Sequence, residues 1–259
     1  MVRGIDKFGE FFAGYEDNYV IIGGTACDMV EEAAGQSPRA TKDVDIILII
    51  EALTPEFVKR FWEFIKAGGY ETRQKGNGKN EYFRFMKPKE ETFPFQIEIF
   101  ARKPDILEIP SEARLTPIPV DEDLSSLSAI LMNDDYYHFT LKHSESTDGI
   151  HHASVESLIV LKAKAFLDLS KRKAEGEAVD EKNIRKHKND IFRLSTLLDE
   201  VKIFTLPEEL AVDLKSFCEK VHSSLPDKAF LKSIGLNDIL PEEIFDRLCH
   251  AFEIKFEKK

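Results

Sequence analysis

The spacing of apolar residues changes along this chain, and the change separates a first stretch of mixed pattern from a second that is helical throughout. "NYVIIGG" is a short β-rich run ending on two glycines. "TACDMVEEAAG", with its Ala, Met and Glu, predicts a helix stopped at Gly35. "DVDIILIIE" is a continuous isoleucine-rich run, the pattern of a central strand covered on both faces. "TPEFVKRFWEFIKAGGY" offers Thr54 as a helix cap, Pro55 at the first helical position and Gly68-Gly69 as a stop. Its Phe57, Phe61, Phe64 and Ile65 recur at helical spacing, which marks core. "NEYFRFM" and "FPFQIEIFA" predict strands, and "YYHFTLKH" a further strand entered through a hairpin turn at Asp134-Asp135.

Beyond residue 150 the β signals fade. "SVESLIVLKAKAFLDLSKRK", "NIRKHKNDIFRLSTLLDEV", "PEELAVDLKSFCEKV" and "PEEIFDRLCHAFEIKF" predict four long helices, the first two joined by the charged "KRKAEGEAVDEKN". The expected fold is α+β: a small mixed β-sheet domain over residues 1–150, a boundary within "SESTDGIHHAS", and a helical domain over 151–259.

Composition narrows the functional classes. With 42% hydrophobic and 32% charged residues among 259, the chain has the make-up of a soluble globular protein with a sizeable core. The opening "MVRGIDKFGEFF" lacks the long apolar stretch of a signal peptide, and no apolar run is long enough to span a bilayer, so a cytoplasmic protein without membrane contact is expected. Cys27, Cys218 and Cys249 are odd in number and scattered, which reads as buried free thiols. A net charge of −11 argues against a broad non-specific grip on nucleic acid. The basic runs "LSKRKAEGE" and "EKNIRKHKND" read as solvated helix ends and a linker.

The candidate chemistry lies where two patterns meet. On a strand, Asp43 and Asp45 point the same way, with Cα atoms ~6.6 Å apart at the usual strand rise. Two carboxylates on one face repel unless a cation sits between them, and hard ions such as Mg²⁺ or Mn²⁺ take oxygen ligands and complete their shell with water and substrate phosphates. In "FQIEIF", Glu98 interrupts an otherwise apolar face, and an adjacent strand would bring it beside the aspartates. Three carboxylates on neighbouring strands suit two-metal phosphoryl or nucleotidyl transfer. Gly23 and Gly24, lacking Cβ, would let backbone amides approach phosphate oxygens, while the helix opening at Thr25 adds its dipole and a hydroxyl. A Rossmann motif is absent, no GK[ST] marks a phosphate loop, and the acids run into "IILII" without the glycine and terminal glutamate of a calcium loop. His151-His152 lacks a third ligand at zinc spacing.

The order strand, Gly-Gly, helix, Asp-hydrophobic-Asp strand and a single acid on a later strand resembles the DNA polymerase β-like nucleotidyltransferase superfamily. Within it, "GGTACDM…PRATKDVDIIL" is similar to the AbiEii-type enzymes of abortive-infection and toxin–antitoxin systems, matching their motifs at Arg39, Thr41, Asp43 and Asp45. The interval between Gly24 and Asp43 is longer than in the compact members of the superfamily. The family's helical half, with a Lys-x-x-Ala helix and a later Lys-Asp helix, is matched by Lys162 to Ala165 and by Lys188-Asn189-Asp190.

The resemblance implies a nucleoside triphosphate held by Gly23, Gly24, Thr25, Lys162 and Asp190, with Asp43, Asp45 and Glu98 as metal ligands and catalytic groups. Glu98 either completes a second metal position or serves as base. Lys164 competes with Lys162 for the contact with the triphosphate. It further implies an acceptor such as tRNA or protein and an antitoxin-like partner. The alternative is a nucleotide- or partner-binding module of the same fold without catalysis.

Overall fold

A computed structural model describes residues 2–39, 41–49, 51–74, 82–100, 130, 133–236 and 239–255. The chain falls into two compact units. The first comprises Met1–Met29, Pro38–Val120 and Ser144–Ala153, the second Val30–Ser37, Asp121–His143 and Ser154–Lys259.

Among the described residues the first unit is built on a mixed seven-stranded sheet. Its strands are β1 (Tyr19–Ile22), β2 (Asp43–Leu48), β3 (Glu71–Gln74), β4 (Tyr82–Met86), β5 (Gln96–Phe100), β6 (Ser144–Thr147) and β7 (Ile150–Ala153), in the order β3-β4-β5-β2-β1-β7-β6. β2 runs parallel to β5 and β1 parallel to β7, and the other neighbours are antiparallel. β2 therefore lies inside the sheet, as its apolar run predicts, with Val44, Ile46, Ile47 and Leu48 buried.

Helices α1 (Ile5–Phe11) and α3 (Pro55–Gly68) carry aromatic faces that pack together. Phe8, Phe12, Phe57, Phe61 and Phe64 are buried, and their rings meet one another, Tyr19 and Phe85. Phe85 stands opposite Ile97, which pairs with Val44, so this core occupies one face of the sheet and leaves Asp43, Asp45 and Glu98 on the other. The ends of α3 follow the sequence signals. Thr54 accepts a hydrogen bond from the Phe57 amide, and Gly69 closes the helix in the left-handed region at φ 62°. Helix α2 (Gly23–Ala33) follows β1 without a loop.

The segment "YYHFTLKH" is a helix, α4 (Asp134–Lys142), and Asp134-Asp135 form its first turn, not a hairpin. The side chain of Asn133 caps the amides of Asp135 and Tyr136, and the two acids favour the positive helix end. Tyr136, Tyr137, Phe139 and Thr140 are buried at helical spacing, and that packing outweighs the strand preference of the aromatic residues. The segment in which the boundary was expected is a β-hairpin, β6–β7, turning through Asp148 and Gly149 at φ 51° and 75°.

The second unit is helical: α4, α5 (Val155–Ala174), α6 (Glu181–Ser195), α7 (Glu208–Val221), α8 (Lys228–Ser233) and α9 (Pro241–Ala251). Phe166 meets Phe217, Phe192 stacks on Phe245, and Phe204 packs on Phe252. Buried Arg193 donates to Glu31 at 3.0 and 2.5 Å and to the Ser37 carbonyl, fixing the 30–37 segment to α6. The basic run at the end of α5 is paired with nearby acids: Lys171 with Glu175, Arg172 with Glu177 and Lys173 with Glu181. Cys27, Cys218 and Cys249 form no disulfide, and the first two are buried. Among the described residues no helix is long and apolar enough to cross a membrane.

Candidate functional site

Gly23, Gly24, Thr25, Asp43, Asp45 and Glu98 all lie in the first unit. The register of β2 against β5 sets Asp45 opposite Glu98 and Asp43 opposite Gln96. Paired residues on neighbouring strands share a face, so the three carboxylates stand side by side as the alternation predicts. Asp43 and Asp45 are half-buried, and Glu98 is only 4% exposed. Glu98 thus belongs to an interior strand and not to an exposed edge.

The glycines meet the same point. Gly23 opens α2 with φ 68°, and a β-carbon there would overlap Asp45 Oδ2. A β-carbon on Gly24 would come within 2.7 Å of Thr41 Oγ1. The absence of a side chain at Gly23 is therefore what lets the Asp45 carboxylate reach the start of the helix, where first-turn amides lack an intrahelical carbonyl. Thr25 is fully buried and its hydroxyl donates to the Asp43 carbonyl at 2.6 Å, tying α2 to the head of β2. The Thr41 amide donates to Asp28 Oδ2 at 3.3 Å, and Arg39 is exposed.

This packing gives a test of the geometry. Gly23→Ala incurs both positive-φ strain and a clash with Asp45, whereas Gly14→Ala incurs strain alone, since nothing lies within 4 Å of a β-carbon at Gly14. Urea denaturation should show Gly14→Ala costing about 1–2 kcal/mol and Gly23→Ala clearly more. Equal losses would mean that Asp45 does not press on the helix start.

Glu98 is not surrounded by acids alone. Arg84, opposite it on β4, places Nε 2.7 Å from Glu98 Oε1, and Gln96 Nε2 donates to the same oxygen at 2.6 Å. The N–H of Arg84 is not aligned for a hydrogen bond, so the contact is an ion pair. Arg84 and Gln96 are each 7% exposed. Burial is the main cause that raises the Glu98 carboxyl, to about 9, and the charge of Asp45 adds to it. Arg84 pulls in the opposite direction, while a hydrogen bond with Asp45 and the charge of Asp43 raise it further. Among the described residues no three His, Cys, Asp or Glu side chains converge on one cation position. The two aspartates match a hard divalent ion that completes its shell with water and phosphate oxygens.

Lys162 and Asp190 lie in the second unit and are brought to each other. Lys162 Nζ donates to Asp190 Oδ2 at 2.7 Å between α5 and α6, with both residues buried. Lys164 faces another side of α5, as its spacing requires, and pairs with Asp213 at 2.6 Å. Lys188 donates to the Ser224 carbonyl at 2.9 Å. His151 and His152 point apart on β7. His151 is hydrogen-bonded at the Glu16 carbonyl and Ser144, His152 at Thr147 and the Ala153 carbonyl.

Sequence reasoning missed Arg84 and Gln96. A signal was present: "YFRFM" alternates as "FQIEIF" does, and Arg84 breaks its face as Glu98 breaks the other.

No protein-family model matches the chain, and no curated protein matches it. Among solved structures the chain is similar to an antigenic nucleotidyltransferase-like protein from Paracoccidioides brasiliensis. The two are 15% identical with a TM-score of 0.44, over 94% of this chain and 97% of that one. A likeness of that degree leaves the activity to be argued from the residues themselves.

Proposed function

We propose that the chain is a metal-dependent nucleotidyltransferase that moves a nucleoside monophosphate from a nucleoside triphosphate to an acceptor hydroxyl. The observation that carries this reading is the position of Asp45, opposite Glu98 across two strands and pressed against Gly23 at the start of α2. The two aspartates and the start of a helix thereby meet at one point, which supports a site for a metal–triphosphate complex.

In the proposed reaction the acceptor oxygen forms a bond to the α-phosphorus, the bond from that phosphorus to the bridging oxygen breaks, and pyrophosphate leaves with the electron pair. The acceptor's proton goes to a carboxylate, the part assigned to Glu98 where it does not complete a second metal position. Asp43 and Asp45 would hold Mg²⁺ or Mn²⁺, which when bound would supply charge neutralisation at the phosphoryl oxygens. Gly23, Gly24 and Thr25 shape the approach of the phosphates, and Lys162 and Asp190 are assigned to nucleotide binding. A tRNA or protein acceptor and an antitoxin-like partner rest on the family resemblance alone.

A non-catalytic module is the second reading, favoured by the engagement of Glu98 with Arg84. One experiment addresses both. A preformed site gains RT ln(1 + [L]/Kd), so triphosphate at about 100 Kd adds ~2.7 kcal/mol. For a chain of this size that raises Tm by roughly 5–10 °C. ATP, CTP, GTP and UTP are screened with Mg²⁺, and the best binder, labelled at the α-phosphate, is incubated with total tRNA and cell extract. The shift should need triphosphate and metal together and be accompanied by label transfer. A shift without transfer favours the binding module, and no shift with any of the four rejects a nucleotide site.

A further inference from the structure

We infer that Arg84 serves as a built-in counter-cation for Glu98, so that before nucleotide arrives the site takes one divalent ion, on Asp43 and Asp45, and not two. The inference rests on the metal-dependent reading and deepens it by setting Glu98 aside as the ligand of a second ion. Two observations lead to it.

The guanidinium of Arg84 lies 2.7 Å from Glu98 Oε1, in a buried contact set by the β4–β5 register. Gln96 Nε2 donates to that same oxygen at 2.6 Å, so a guanidinium and an amide together occupy one of the two oxygens that Glu98 could offer a second cation. Approach of a divalent ion to Oε1 would set it against a cation already in place, with little water to screen the two.

Arg84 is thus a positioning residue, acting through Glu98. Its pull holds the Glu98 side chain beside Asp45 and away from the ion that the two aspartates would share. An arginine suits this part because it stays protonated at any working pH.

The test counts ions on the full chain without nucleotide, following the loss of the free Mn²⁺ signal by electron paramagnetic resonance up to millimolar concentration. The wild-type chain should bind one Mn²⁺. Asp45→Asn should weaken that binding at least tenfold, and Glu98→Gln should change it less than threefold. Arg84→Met, which releases Glu98, should tighten binding at least tenfold, and the Arg84→Met, Glu98→Gln double variant should lose that gain. Two ions on the wild-type chain, with one lost in Glu98→Gln, would overturn the inference and leave the metal-dependent reading standing. Unchanged binding in a folded Arg84→Met would also overturn it. If Arg84→Met does not fold, the Glu98→Gln arm decides alone, since a tenfold loss there would make Glu98 a ligand. Absence of Mn²⁺ binding in the wild-type chain would reject the metal-dependent reading itself.

Discussion

Replacing Asp45 with Asn should lower nucleotide transfer by about 10³-fold or more while leaving the chain folded. The substitution keeps the volume of a side chain packed against Gly23, so it opens no cavity and moves no backbone. What it removes is charge at the point where the metal–triphosphate complex would bind. Losing one group that stabilises a transition state electrostatically typically costs 10²–10³-fold, and a metal ligand acts on ground-state binding as well. Asp43→Asn should behave alike, since both acids lie on one face of β2. The folded state should be unharmed or more stable, because Glu98 is buried beside Asp45 and the two acids repel. Transfer of an α-phosphate label, with circular dichroism as the control for folding, reads both effects. Full transfer by the Asp43→Asn, Asp45→Asn double variant would remove the metal from the mechanism.

The carboxylate row was legible because it needs only local rules. Asp43 and Asp45 share a face through strand alternation, and Glu98 announced itself by breaking an apolar face. The register that sets Glu98 opposite Asp45 follows once β2 and β5 are neighbours. Arg84 obeys the same rule, but in the sequence nothing separates it from the solvated arginine that a strand usually carries. Helix α4 was misread for a different reason. Its aromatic residues favour strands when weighed one by one, whereas the cap at Asn133 and burial at helical spacing decide the outcome together. The hairpin at Asp148-Gly149 carried a clear turn signal, but its short, polar β6 gave no apolar alternation. The contact of Lys162 with Asp190 was beyond the sequence, since it depends on how two helices pack and not on the spacing within either.

That contact leads to the second large effect. Lys162 and Asp190 form a buried ion pair at 2.7 Å, with side chains 7% and 5% exposed. Removing one partner of such a pair strands the other's charge away from water, which typically costs 3–5 kcal/mol. Lys162→Met and Asp190→Leu should each show that loss in urea denaturation. The Lys162→Met, Asp190→Leu double variant should recover most of it, because an apolar pair of similar volume replaces the ion pair without leaving a charge behind. Lys164→Ala should cost far less, about 1 kcal/mol or below, since Lys164 is half-buried beside Asp213. These stabilities describe the pair as structure, and nucleotide binding adds a separate readout. If the pair also meets the triphosphate, the rescued double variant should be stable yet give little thermal shift with nucleotide and Mg²⁺. The Lys164→Ala variant should keep the full shift. A double variant that regains both stability and the shift would confine Lys162 and Asp190 to holding α5 against α6, and the positive charge for the triphosphate would have to come from another residue.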